Sequence, residues 1–273
     1  MTSPDRGVSE QGVLRRWLAL PGTSGLDIDD PDNAAELRRL IQQKGFLRKL
    51  YLEWYRSIVA ALPDGTAPVL ELGAGGGFLA DLIPGLVTSE VQWCPHVRLV
   101  LDGQALPFSD RSLRAIVMTD VMHHIPDVRR FLREAARTVA PGGRIVMIEP
   151  WVSPWSTFIY TRFHHEPFRP DTREWEFPRG GPLSAANMAL PWVMLVRDRE
   201  TFEREFPQWR IARIRPIMPF RYLLSGGVSM RGLTPAWTFG FWRTVEAALS
   251  PFNNHLAMFA NIELERTAPE RTR

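Results

Sequence analysis

A chain of 273 residues that is 45% hydrophobic and 11% aromatic can bury one generous core, which excludes a disordered protein. Its 33 basic residues exceed 30 acids by only +3, and the arginines are interleaved with acids, as in "RDRETFEREF", so the charge is not a nucleic-acid footprint and no nucleic-acid partner is expected. A single cysteine, Cys94, excludes an internal disulfide; with neither a leader nor an uninterrupted apolar run of about 18 residues, the chain reads as soluble and cytoplasmic.

Residues 1–32 are rich in Ser, Pro, Gly and Asp around one apolar patch, "VLRRWLALPG", and read as a loosely structured segment. Order is expected from Asn33, where "NAAE" offers a capping box with Asn33 as N-cap and Glu36 reaching back. Leu37, Leu40, Ile41, Leu47, Leu50, Tyr51, Trp54, Tyr55, Ile58, Val59 and Leu62 then recur at three- and four-residue spacing, predicting a long amphipathic helix over 33–62 with an interruption at Gly45. "LPDGTAP" ends it. Beyond lie strand candidates "PVLELG", "LVTSE", "VRLVLD", "RAIVMTD" and "GRIVMIEP", with "FLADLIP" and "DVRRFLREAARTVA" as helices between them. Repeated strand–helix alternation implies an α/β fold: a Rossmann-like, doubly wound, mostly parallel sheet in a single domain over 33–267, followed by a tail, 268–273.

The stretch "VLELGAGGGFLADLIPG" (69–85) sets five glycines and an acid at a strand-to-helix turn, where a backbone can approach a nucleotide at the carboxyl edge of a parallel sheet. The dinucleotide fingerprint G-x-G-x-x-G fails in register: Gly73 and Gly75 fit, but the third glycine, needed for close helix–strand packing, falls on Phe78. A Walker loop fails too, for want of a lysine followed by Ser or Thr. Glu71, two residues before Gly73, would repel a pyrophosphate and attract a cation. S-adenosyl-L-methionine, with a sulfonium, an ammonium and ribose hydroxyls that want a second acid, answers that description.

Over Val69–Pro150 the sequence resembles the class I S-adenosylmethionine-dependent methyltransferases. "ELGAGGG" matches that family's acid-x-Gly-x-Gly-x-Gly motif, and "LDGQALPF" looks like its Asp-x-x-x-Leu-Pro-Phe adenine loop. "AIVMTDVMHHIPD" and "EAARTVAPGGRIVMIEP" follow in the family's order. The resemblance implies that 69–150 is a cofactor-binding core. It implies that Glu71, Gly73, Ala74 and Gly75 line the cofactor, Glu90 meets the ribose, Asp102 and Gly103 meet the adenine, and Thr119 lies alongside. One departure stands out: the six residues between Glu90 and Val97 are too few for the family's usual second helix.

Two long aromatic-rich insertions, 151–209 and 217–254, are expected to form a cap on the substrate side, for a small-molecule, saccharide or lipid-linked acceptor, with a peripheral membrane contact as one use of the exposed aromatics. Their "FHHEPF" offers His164, His165 and Glu166 as a base for an acceptor hydroxyl, and His124 of "MHHIPD" is a further candidate. No metal is expected: the neighbours His164 and His165 point apart on a helix or strand, and the sequence shows no spaced third ligand. The function these features point to is methyl transfer from S-adenosylmethionine, to oxygen in the first instance. Carbon or nitrogen transfer and a non-catalytic module of the same fold are the alternatives.

Overall fold

The computed structural model describes residues 33–164, 166–177, 186–228 and 230–268. The expectations for residues 1–32, for His165 and for most of the tail lie outside them.

The expected N-terminal helix is two helices, α1 (Asn33–Gln43) and α2 (Gly45–Ala61), broken at Lys44 as the glycine foretold. The cap expected at Asn33 lies outside the described side chains, while Glu36 pairs with Arg39 at 2.8 Å. The strands follow as β1 (Val69–Leu72), β2 (Val87–Glu90), β3 (Leu99–Val100) and β4 (Leu113–Thr119), then helix α3 (Val128–Thr138) and β5 (Val139–Pro150). Beyond them come α4 (Pro154–Phe163), α5 (Arg199–Glu205), β6 (Trp209–Ile217), α6 (Arg221–Ser225), α7 (Phe239–Ala248) and β7 (Phe259–Arg266). The seven strands form one sheet in the order β3-β2-β1-β4-β5-β7-β6, with β7 antiparallel to both neighbours and the other pairs parallel.

Alternation along the strands splits the core in two. Leu70, Leu72, Ile116, Met118, Ile145 and Met147 face α3 and the helical run 190–206. Val69, Ala115, Val117, Val146 and Ile148 face α2, with Tyr160 of α4 and Phe239 of α7 in the same cluster. A strand buried on both faces needs apolar residues at every position, which is why these segments read as continuous apolar runs. The run 190–206, inside the first insertion, therefore covers one face of the sheet, while Ile159, Tyr160 and Phe239 pack into the cluster on the other.

"FLADLIP" does not form a helix. A single 3-10 turn, Leu79–Asp81, follows the glycines, because Pro84 cannot donate to a continuing ladder and Gly85 turns away at φ 76°. Between β2 and β3 no helix forms, as the short connection required.

Candidate functional site

Five acids stand at or just beyond the carboxyl ends of consecutive parallel strands: Glu71 in β1, Glu90 ending β2, Asp102 after β3, Asp120 after β4 and Glu149 in β5. The strand order reverses between β1 and β4, where an open parallel sheet leaves its crevice.

The glycine turn lies at that switch point. Gly73 and Gly75 have φ of 64° and 42°, and a Cβ on Gly73 would lie 2.4 Å from Val121 Cγ2, so only glycine lets the loop pass β4. Ala74 N–H donates to Ser89 O at 2.9 Å and Gly77 N–H to Ala74 O at 2.7 Å, closing the turn. Glu90 accepts from Gly75 N–H at 3.1 Å and Val91 N–H at 2.8 Å, so the second acid is tied to the loop of the first. Burial, and then the charge of Glu90, push the Glu71 carboxyl up to about 8. A buried pair of like charges of this kind is relieved by a cation. On the outer side, the Tyr55 hydroxyl of α2 accepts from Phe78 N–H at 3.3 Å, and Arg38 of α1 donates to Gly77 O. The N-terminal helices thus close over the loop.

Asp102 accepts from Gln104 N–H at 2.8 Å and from the Gln104 side-chain amide at 2.9 and 3.1 Å. Gln104 Oε1 in turn accepts from Asp127 N–H, which ties the Asp102 loop to the start of α3. A Cβ on Gly103 would sit 3.3 Å from Leu72 Cδ1, so the loop backbone lies against β1. The Thr119 hydroxyl is buried without a hydrogen-bond partner among the described residues, the kind of orphan that a bound polar molecule satisfies.

Beyond Thr119 the chain makes a strained step. Asp120 has φ 64°, unusual for an aspartate, and its N–H donates to Ile148 O at 2.8 Å. The step aims Val121 N–H and Met122 N–H at Glu149 Oε1, at 3.0 and 2.8 Å, and sets His123 Nδ1 2.8 Å from Glu149 Oε2. Both Glu149 and His123 are fully buried. Glu166 lies across from them, its carboxylate 3.4 Å from His123 Nε2 and 4.0 Å from His124 Nε2. Burial alone would lower the His123 pKa, but the carboxylates at its two nitrogens outweigh it and push it up to about 10. For Glu166 burial works upward, yet His123 and the other histidines bring it down to about 2. Asp120 is pushed up to about 7, by burial first, against the pull of His123.

Of the residues expected for catalysis, the structure brings His124 and Glu166 together. His164 ends α4, and its Nδ1 accepts from Glu166 N–H at 3.2 Å, so the ring steadies Glu166. Sequence reasoning passed over Asp120, His123 and Glu149. The signal available was the double histidine a few residues after a strand, followed by an acid ending the next strand.

Residues 70–147 match the family described as "Methyltransferase domain". The central part of this chain is thus similar to methyltransferase domains. Domains of this family use S-adenosyl-L-methionine as methyl donor. Curated relatives include a demethylmenaquinone methyltransferase of Corynebacterium efficiens, 43% identical over 95 residues, covering 33% of this chain and 40% of that protein. The demethylmenaquinone methyltransferase of Streptomyces griseus subsp. griseus is 32% identical over 127 residues, 40% of this chain and 55% of that one. The alignments thus span about half the length of these relatives, or less. Among solved structures, a chain of the complex between the Haloferax volcanii Trm112 methyltransferase activator and a methyltransferase is similar at TM-score 0.50 and 15% identity, covering 87% of this chain and 96% of that one, a likeness of fold alone. Geranyl diphosphate C-methyltransferase of Streptomyces coelicolor A3(2) is similar at TM-score 0.47 and 14% identity, over 96% and 100% of the two chains.

Proposed function

We propose that this protein transfers the methyl group of S-adenosyl-L-methionine to an oxygen of a small-molecule acceptor, saccharide or lipid-linked, held between the cofactor loop and the His123–His124–Glu166 group. The observation that carries this reading is adjacency. Val121 packs where a Cβ of Gly73 would be, so the cofactor turn and the histidine turn are neighbours, with Glu149 bonded to the backbone of one end and to His123 at the other.

Glu71 and Glu90 suit the cationic and ribose ends of the cofactor, with Gly73, Ala74 and Gly75 offering backbone. Asp102, Gly103 and Thr119 complete its expected wall. The methyl donor is already activated, so alignment does most of the work: holding nucleophile, methyl and sulfur in line supplies roughly 7–11 kcal/mol. An oxygen acceptor must also lose a proton, worth roughly 10²–10⁴-fold when it is received in place. Polar groups gathered at the acceptor side can receive the proton that an oxygen nucleophile must lose. Tyr160 of the first insertion is buried, Tyr222 of the second and Tyr51 of α2 are half-buried, and all three lie within the electrostatic reach of Asp120, giving that side an aromatic wall. Transfer to carbon is a second reading, favoured by the curated relatives, whose name gives demethylmenaquinone as the acceptor.

Calorimetric titration with S-adenosylmethionine and S-adenosylhomocysteine, alongside Glu71→Ala and Asp102→Ala, tests the cofactor. Micromolar binding weakened by these changes is expected, and no binding by folded protein would leave the non-catalytic module in front. Labelled methyl transfer to alcohol and quinol acceptors, with the position of the new methyl read by NMR of the product, then separates oxygen from carbon.

A further inference from the structure

The histidine turn does more than pair with a carboxylate. Successive side chains on a 3-10 turn are rotated by about 120°, yet the His123 and His124 rings lie 4.2 Å apart, tilted by 40°, and both turn a nitrogen toward Glu166. One donor atom from each of the three residues lies within 4.8 Å of the others. Glu166 arrives from the first insertion, with α3, β5 and α4 between it and the histidines in the chain, so this convergence belongs to the tertiary fold and not to local sequence.

The surroundings of His123 are those of a ligand. Its Nδ1 is engaged by Glu149 at 2.8 Å, and Glu149 is itself held by two backbone N–H groups. Its Nε2 is buried, and makes no hydrogen bond of good geometry among the described residues while facing Glu166. A carboxylate on one ring nitrogen that fixes the tautomer and aims the other nitrogen is the usual outer support of a metal-bound histidine. His124 and Glu166 keep side-chain exposures of 14% and 15%, so an ion can enter and a further ligand can reach it.

We infer that His123 Nε2, His124 Nε2 and the Glu166 carboxylate form a binding site for a divalent transition-metal ion, zinc by preference, with its open position toward the acceptor. Zinc–ligand bonds of about 2.0–2.2 Å place tetrahedral donors about 3.3 Å apart, close to the 3.4 Å between His123 and Glu166; a small rotation of His124 closes the remainder. Two nitrogen donors select against magnesium and calcium, which take oxygen ligands. In the open position the ion would hold a hydroxyl oxygen of the acceptor and lower its pKa, so that its proton passes to solvent water. That role rests on the methyltransferase reading; metal binding itself does not.

The full-length protein, stripped with a chelator, is titrated with zinc chloride by calorimetry and with cobalt chloride by visible spectroscopy. One equivalent of each is expected, with cobalt d–d bands, and magnesium in thousandfold excess leaves both unchanged. His124→Ala and Glu166→Ala, on the accessible side of the site, each weaken zinc binding at least tenfold while thermal unfolding and S-adenosylmethionine binding stay near those of the parent. Imidazole 1H–15N spectra of the unsubstituted protein provide a check that needs no variant: zinc shifts Nε2 of two histidines. Absence of stoichiometric binding, displacement by magnesium, unmoved histidine resonances, or binding retained in both variants overturns the site. Zinc bound without S-adenosylmethionine binding would retire the methyltransferase reading and leave the metal site standing; the reverse would do the opposite.

Discussion

Residues 69–150 and the two insertions after them meet at one edge of the sheet but are held there by different forces. In the first region position follows from the backbone: glycines at positive φ, a turn closed by Ala74 and Gly77, and an acid at each strand end. In the second, side chains distant in sequence do the holding. Arg221 of α6 is buried between Glu246 of α7, at 2.5 Å, and Glu53 of α2, at 2.7 Å on both arms. Trp155 donates to Pro219 O at 2.9 Å and Tyr160 to Met258 O at 2.6 Å. A cofactor common to many enzymes can be served by a local motif; an acceptor peculiar to one is served by surface assembled from afar.

The largest effect expected from that contrast is in the second region. Arg221→Ala leaves Glu246 buried without its partner and should cost about 3–5 kcal/mol in urea unfolding; a loss under about 1 kcal/mol would mean the cap is anchored by packing alone. In the first region, Gly73→Ala should cost stability and cut cofactor affinity about 100-fold, roughly 2.8 kcal/mol, because the added Cβ meets Val121 at a positive φ. Equal cofactor affinity in calorimetry would show that the turn can shift.

Glu71→Gln removes the charge that faces the cofactor's cation, and about 10- to 100-fold weaker binding is expected, in line with about 1.5–3 kcal/mol for a charged hydrogen bond. The same carboxyl makes the free protein and its complex respond oppositely to pH. Its folded pKa, about 8, lies above its ordinary 4.5, so its contribution to the stability of the free protein is full below about 4.5 and is lost as pH rises through about 8. A cationic ligand favours the ionised form, so affinity should climb over that window and level off above it, with proton release on binding at pH 7. Titration in buffers of different ionisation enthalpy reads this directly, and no proton release would place the cation elsewhere. The smallest effect expected is Tyr55→Phe, about 1 kcal/mol in stability from the lost Phe78 N–H acceptor, with cofactor affinity changed no more than a few fold.

How much of this could be read in advance varies residue by residue. Glu71, the glycines and Glu90 were expected around one cofactor, and the structure sets them side by side, with Glu90 accepting from Gly75 N–H, a bond the sequence did not announce. The helix expected from "FLADLIP" was not, because apolar spacing of three and four residues persists in a segment that Pro84 and Gly85 cut to one turn. His164 looked like a base by composition, and the fold gives its ring to the Glu166 backbone. His123 was passed over because burial of one of two adjacent histidines depends on which way Asp120 turns the chain, and a positive φ at an aspartate leaves no mark in sequence.

The sequence by itself determined the alternating α/β order, the glycine turn with its two acids, and the break between α1 and α2, since each depends on residues close together in the chain and on backbone rules that hold anywhere. Only the tertiary structure decided that Glu166 meets His123 and His124, that Glu149 stands behind them, and that run 190–206 covers the sheet. Those contacts join segments separated by whole strands, and the packing of a buried core, which is cooperative and has no local signature, sets which of them come together.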